Sequence, residues 1–200
     1  MTKAKIAVFV SGGGTNLQAL IDAERDGIIT SGEIVLVVAT NEEAYALTRA
    51  REAGIEAVVV SKKALGSQQA FERELIRVVE EAGIDIIVLA GFMTILSENF
   101  TRLYDKRILN VHPSLIPSFC GEGYYGLRVH EEALRYGVKV TGATVHYVNE
   151  IADGGEIIMQ RAVYVEEGDT PETLQKRVMK EAEWQILPLS VELVAKKWRK

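Results

Sequence analysis

A single cysteine among 200 residues, Cys120, leaves no partner for an internal disulfide, and no spacing of cysteine and histidine resembles a zinc site, so no metal is expected. Such sparing use of thiols fits a reducing compartment, and the expected location is the cytoplasm. Long apolar runs are missing too. The first, Ile6 to Val10, is too short for the core of a signal peptide, and nothing approaches the roughly 20 apolar residues of a membrane span. Basic residues are scattered, with 23 Lys and Arg against 28 Asp and Glu for a formal charge of −5. Their one cluster is the tail Lys196-Lys197-Trp198-Arg199-Lys200, which reads as a solvated helix end. Neither a nucleic-acid partner nor a membrane partner is expected from this balance. Proline is scarce as well: there are four, and two of them fall within one stretch.

That stretch is Ile108-Leu109-Asn110-Val111-His112-Pro113-Ser114-Leu115-Ile116-Pro117. It reads as a buried strand running out into a rigid loop, because each proline fixes φ and biases its predecessor toward extended geometry. Asn110 and His112, two apart, point to the same side of a strand. An amide donor and an imidazole converging on one small group suit oxyanion chemistry. The same residues also suit a plain strand-end turn with a capping Asn and a surface His.

Upstream, Ile6-Ala7-Val8-Phe9-Val10 is a strand of the kind covered on both faces in a parallel sheet. Ser11-Gly12-Gly13-Gly14-Thr15-Asn16 follows, then Leu17, Leu20 and Ile21 at helical spacing. A glycine turn opening a helix favours a phosphate, with Gly14, the Thr15 hydroxyl and the Asn16 amide as donors. The alternative is a tight turn with Thr15 or Asn16 as N-cap. The run is neither G-x-G-x-x-G nor a Walker loop, so a monophosphate ester fits better than a dinucleotide or triphosphate. Strands at Glu33 to Ala39, Ile55 to Val60 and Ile84 to Ala90 alternate with helical segments at Asn41 to Ala53 and Ser67 to Ala82. This alternation predicts a single α/β domain over residues 1–200, an open, mostly parallel twisted sheet with helices on both faces. Ligands of such sheets sit beyond the carboxyl ends of the strands, where the three loops 11–16, 91–96 and 110–117 should share one cleft.

Gly91-Phe92-Met93-Thr94-Ile95-Leu96 is apolar for a loop and suits either a pocket for a flat ring system or a partly buried connection. Gly121, Gly123 and Gly126 suggest a mobile flap around Cys120. Strands are expected over Val140 to Val148 and Glu156 to Val165, with Asp153-Gly154-Gly155 in the turn between them. A buried Asp153 next to His112 would favour the imidazolium. His146 reads as a structural histidine on a sheet face and His130 as a partly exposed residue at a helix start. Asp169-Thr170-Pro171-Glu172 is a strong helix start, and Pro188 is expected to break or bend the helices that follow.

In this order, Ser11-Gly12-Gly13-Gly14-Thr15-Asn16, Ala90-Gly91-Phe92-Met93, Asn110-Val111-His112-Pro113-Ser114-Leu115 and Asp153-Gly154-Gly155 resemble the phosphoribosylglycinamide formyltransferase family, from Ile6 to about Val194. The resemblance implies a Rossmann-like formyltransferase fold and transfer of a formyl group from 10-formyltetrahydrofolate to glycinamide ribonucleotide in purine synthesis. It implies that Asn110, His112 and Asp153 are catalytic and that Gly14, Thr15 and Asn16 hold the substrate phosphate. By the same likeness Glu183 contacts the glycinamide end, and Gln68, Met93, Thr94, Ile95, Leu96 and Asn110 border the folate. Thr94 stands where the family usually has Arg, Gln68 where it commonly has a basic residue, and the Cys120 flap is longer than the usual Pro-Gly loop. A monomer or homodimer acting on small molecules is expected, with direct attack of the amine on the formyl carbon. The rivals are 10-formyltetrahydrofolate hydrolase and methionyl-tRNA formyltransferase, whose usual extra domains this chain has no room for, and a sugar-phosphate-binding module without chemistry.

Overall fold

The computed structural model describes residues 2–199; Met1 and Lys200 lie outside the described residues, so the expected basic helix end is seen only as far as Arg199. Strands β1 (Ala4–Val10), β2 (Gly32–Ala39), β3 (Glu56–Val59), β4 (Ile86–Leu89), β5 (Ile108–His112), β6 (Val140–Tyr147) and β7 (Ile157–Tyr164) form one sheet in the order β3-β2-β1-β4-β5-β6-β7. The first five run parallel, and β6 and β7 are antiparallel at one edge. Helices α1 (Thr15–Arg25), α2 (Ala46–Glu52), α3 (Lys62–Leu65), α4 (Gln68–Glu81) and α5 (Glu98–Leu103) make the crossovers. This is the expected open α/β sheet. Two local departures are found. Helix begins only at Ala46 rather than near Asn41, because Asn41 accepts from the Glu43 N–H in a turn of its own and donates to the Ser11 carbonyl. The one-turn α3, capped by Ser61, has no counterpart in the expectation.

Residues Ile6 to Val10 of β1 are 0% exposed, which requires cover on both faces. Ile6, Val8 and Val10 pack in one layer with Leu17 and Leu20 of α1 and with Leu187, Val191 and Val194 near the C-terminus. Ala7 and Phe9 pack in the other with Phe71 and Leu75 of α4 and Phe100 of α5. Because β2 and β4 lie on opposite sides of β1, the loops leaving β1 and β4 part at their carboxyl ends and open a crevice there.

Near the C-terminus, α7 (Pro171–Val178), a π-helical turn (Met179–Glu183) and α8 (Trp184–Trp198) follow one another directly. Thr170 caps α7 reciprocally with Thr173, and Pro171 occupies the first turn. Pro188 does not break the chain of helices; it is buried inside α8. It follows the end of the π-helical turn at Glu183 by about one helical turn.

Glu192 on α8 fastens the approach to β2. Its carboxylate accepts from the Thr30 and Ser31 N–H groups at 2.8 and 2.9 Å and from both hydroxyls at 3.0 Å. Burial alone would raise its pKa, but these donors outweigh burial and hold it at about 2. Because the folded value is depressed, the stabilisation is present above the ordinary carboxylate value of 4.5 and is lost as pH falls through about 2. Glu192→Gln should cost about 1.5–3 kcal/mol at neutral pH, the range for hydrogen bonds to a charged group. Denaturant unfolding over a pH series should also show a shallower loss of stability with acid in the variant than in the wild type.

Candidate active site

At the end of β5 the side chains of Asn110 and His112 meet one carboxylate. Asn110 Nδ2 lies 3.4 Å from Asp153 Oδ1, and His112 Nδ1 lies 3.4 Å from Asp153 Oδ2. The loop carrying Asp153 folds tightly onto β6, where a Cβ on Gly155 would stand 1.7 Å from the Tyr147 carbonyl oxygen. Asp153 itself has φ +54°, a left-handed conformation that Asp and Asn tolerate better than most residues. Its Oδ2 also accepts from the Gly121 N–H at 2.9 Å, which ties the glycine-rich flap to the cluster.

His146 belongs to this cluster, and the reading of it as a structural sheet-face histidine misses that. β6 runs antiparallel to β5 with His146 directly opposite Asn110, so its Nε2 lies 3.2 Å from Asn110 Nδ2 and 3.5 Å from Asp153 Oδ1. Its Nδ1 lies 2.8 Å from the Tyr147 carbonyl, an acceptor only, so Nδ1 carries a proton. Periodicity could not reveal this cross-strand pairing; only the reversal of β6 against β5 creates it.

Asp153 pulls the His112 pKa upward, as expected, but a larger effect opposes it. Burial, the largest cause, drives it below its ordinary value, against the upward pull of Asp153 and of the Phe119 carbonyl. His112 Nε2 donates to that carbonyl at 2.8 Å. Neutral His112 therefore turns the Nδ1 lone pair toward Asp153, and protonation at Nδ1 replaces a repulsive contact with an attractive one. For Asp153, burial would raise the pKa, but the contacts with His146, His112 and the Gly121 N–H prevail and lower it. His130, expected to be partly exposed, is 0% exposed within α6 (Leu127–Tyr136). Both of its ring nitrogens lack partners, and burial followed by the charge of His112 pushes its pKa down to about 4.

The glycine loop lies at the start of α1. Gly14 has φ +69°, and a Cβ there would stand 2.7 Å from the Ala46 Cβ, so the chain needs glycine to pass α2 into the helix. Arg49 braces the turn, donating to the Gly13 carbonyl at 2.9 Å and to Gln18. Thr15 is exposed at the helix start. Asn16 is placed differently from a free phosphate donor: its Nδ2 donates to Glu183 Oε2 at 2.7 Å, so the side-chain amide is already engaged. Glu183, in the π-helical turn, is buried, and burial raises its pKa against the opposing Asn16 hydrogen bond. The motif spacing did not suggest this Asn16–Glu183 contact, because 167 residues separate the partners.

Ser11 joins the glycine loop to the apolar loop, donating its N–H to the Gly91 carbonyl at 3.1 Å and accepting the Met93 N–H at 3.0 Å on its hydroxyl. Met93 and Ile95 are 55% and 72% exposed, unusual for such side chains away from a ligand or partner. An inner hollow of about 140 Å³ is lined by Phe92, Met93, Thr94, Ile95, Leu96, Asn110, His146 and Asp153, among others. An outer one of about 490 Å³ is lined by Lys62, Gln68, Met93, Thr94, Ile95, Leu96 and Ser97. Gln68 faces this outer hollow, but its amide donates to Glu72 at 2.6 Å and to the Ile95 carbonyl at 3.0 Å. Among the described residues, no group of three or more His, Cys, Asp or Glu is placed to hold a metal ion, and no helix is long and apolar enough to cross a membrane.

The chain is similar to known proteins over nearly its whole length. The formyl transferase family profile matches residues 4–191. Over 186 residues the chain is 41% identical to the phosphoribosylglycinamide formyltransferase of Escherichia coli (strain K12), covering 93% of this chain and 84% of that protein. It is 46% identical over 193 residues to the trifunctional purine biosynthetic protein adenosine-3 of Bos taurus, and it spans 96% of itself but only 18% of that longer relative. The crystal structure of glycinamide ribonucleotide transformylase 1 from Symbiobacterium toebii superposes with a TM-score of 0.90 at 41% identity, over 98% of this chain and 89% of that one.

The charge balance at Asp153 is testable without ligand. Asp153→Asn keeps a residue that accepts φ +54° and removes only the negative charge, so the His112 pKa, already low, should fall further. Titration of the His112 ring by NMR in both proteins checks this, and an unchanged His112 pKa would remove Asp153 from the electrostatic role.

Proposed function

We propose, from the premise that this chain belongs to the formyl transferase family, that it transfers the formyl group of 10-formyltetrahydrofolate to the amine of glycinamide ribonucleotide in purine synthesis. The observation that carries the reading is the Asp153 carboxylate shared between the Asn110 amide and the His112 imidazole beside a hollow with one apolar wall, formed by Phe92, Met93, Ile95 and Leu96. Gly14, Thr15 and the first N–H groups of α1 take the substrate phosphate. Asn16 acts there through its backbone while its side chain orients Glu183, which faces the glycinamide end. Met93, Thr94, Ile95 and Leu96 border the folate ring, with Gln68 farther out.

The amine attacks the formyl carbon, and the carbonyl oxygen becomes an oxyanion to which Asn110 Nδ2 donates. His112, neutral at rest because burial lowers its pKa, accepts at Nδ1 a proton released by the attacking nitrogen. The imidazolium so formed lies beside the oxyanion, and Asp153 at 3.4 Å matches its charge. As the bond from carbon to the folate nitrogen breaks, that nitrogen takes the proton and the formylated amide leaves. Hydrogen-bond donors and one carboxylate suffice for these steps without a metal.

A hydrolase would share the donor hollow but has no use for a phosphate site at the glycine loop. A sugar-phosphate-binding module leaves the Asn110, His112 and Asp153 cluster unexplained. The reaction is placed in the cytoplasm, whose reducing conditions suit a chain with one cysteine.

A turnover assay with glycinamide ribonucleotide and 10-formyltetrahydrofolate tests the reading directly. Asn110→Ala should lower kcat by about 10²–10³ with little change in either KM, since its donation matters most in the transition state. Full activity in His112→Ala, or release of formate without formylation of the amine, would overturn the assignment.

A further inference from the structure

A separate hollow of about 400 Å³ is lined by Lys106, Tyr147, Glu156, Lys197 and Trp198. It shares no lining residue with the two hollows beside the catalytic cluster, and the formyl-transfer mechanism uses none of the five. Lys106 lies just before β5, while Asn110 and His112 lie toward the other end of that strand. Two ammonium groups and two aromatic rings meet here. Lys106 has φ +56°, a left-handed conformation that is uncommon for a residue with a side chain and costs it conformational energy. From that backbone its Nζ lies 4.8 Å from the centroid of the Tyr147 ring. Lys197 reaches the same tyrosine from α8, with Nζ 3.5 Å from the hydroxyl, and pairs with no carboxylate among the described residues. Trp198 is half-buried, and the Arg107 guanidinium packs 5.2 Å from its ring centroid and 5.2 Å from that of Tyr104. Arg107 is itself anchored on the Ile84 and Asp85 carbonyls, so the indole lines the hollow in a preset orientation.

One carboxylate answers both lysines. Glu156 pairs with Lys106, and that hydrogen bond and charge hold its carboxyl below the ordinary value, with Lys197 adding to the pull. The side chains of the pair are 49% and 68% exposed, so the contact is a weak restraint that a more highly charged anion displaces. Glu156 thus marks the place where an anion is held. Its single charge leaves one of the two lysines lining the hollow unmatched, in a chain whose net charge is −5.

We propose that this hollow is a binding site for a nucleoside monophosphate, whose phosphate takes Lys106 and Lys197 in exchange for Glu156 and whose base lies against Trp198. A phosphate monoester carries nearly two negative charges at neutral pH and so matches two ammonium groups, which a single carboxylate does not. A flat ring matches the fixed indole. The volume falls within the roughly 300–1,000 Å³ of small-molecule sites. The site is distinct from the glycine loop at the start of α1, so a nucleotide here and a substrate there bind side by side.

The test titrates adenosine 5'-monophosphate into nitrogen-15-labelled protein and follows the indole N–H signals of Trp184 and Trp198 by NMR, assigned with Trp198→Phe. The Trp198 signal should move and saturate. Lys197→Ala and Lys106→Gly should each weaken binding by about two- to fivefold, the range expected of an exposed ion pair. Glycine accepts φ +56° freely, so the second variant removes the ammonium without straining the turn. Glu156→Gln, which removes the competing carboxylate, should strengthen binding by a similar factor. Raising the salt from about 0.05 to 0.5 M should weaken it in the wild type. Adenosine and inorganic phosphate should each bind more weakly than the nucleotide. A still Trp198 signal, shifts confined to the amides of Gly12 to Asn16, or affinity unchanged in both lysine variants overturns the site. Adenosine binding as tightly as the nucleotide overturns the role of the lysines, and inorganic phosphate doing so overturns the contact with the base.

Discussion

The site depends on one carboxylate serving several partners at once. Asp153 holds Asn110 through one oxygen and His112 and the Gly121 N–H through the other, while His146 closes on it from the neighbouring strand. Each partner alone would be a modest contact at 3.4–3.5 Å for the side chains, but together they orient an amide donor and an imidazole from β5 toward the same point. Placing that carboxylate demands a left-handed backbone at Asp153 and a close approach of Gly155 to β6, so local geometry is constrained to serve the cluster.

Burial sets the protonation states around it. A carboxylate near an imidazole ordinarily favours the charged ring, yet His112 is so far removed from water that desolvation prevails and its pKa falls. The result is a base that is empty at rest and has a counter-charge waiting. Buried Glu183 follows the same physics with opposite sign: its pKa rises, held back by a single donor from Asn16. Exposed apolar residues on the 93–96 loop complete the environment, kept in position by Glu72, Gln68 and Ser97 and by the link from Ser11 to Met93.

The alternation of strands and helices and the parallel core were legible from periodicity. Strands with continuous apolar runs such as Ile6 to Val10 announce cover on both faces, and the loops at their carboxyl ends then have only one place to converge. Boundaries failed where side chains compete with backbone, as Asn41 does by forming a turn before α2. Pro188, expected to break or bend the closing helices, lies inside α8 without interrupting it.

Sequence by itself determined which residues have chemistry to offer: Asn110 and His112 at one strand end, an Asp followed by two glycines, and a glycine turn opening a helix. It also determined the fold class, since alternating periods of two kinds allow few topologies. Tertiary structure alone decided how these residues are engaged. It set His146 opposite Asn110, joined Asn16 to Glu183 across 167 residues and tied Gln68 to Glu72. The physical reason is that periodicity reports which face of an element is buried, whereas hydrogen-bond partners and pKa directions depend on what lies across the gap, and the sheet order settles that.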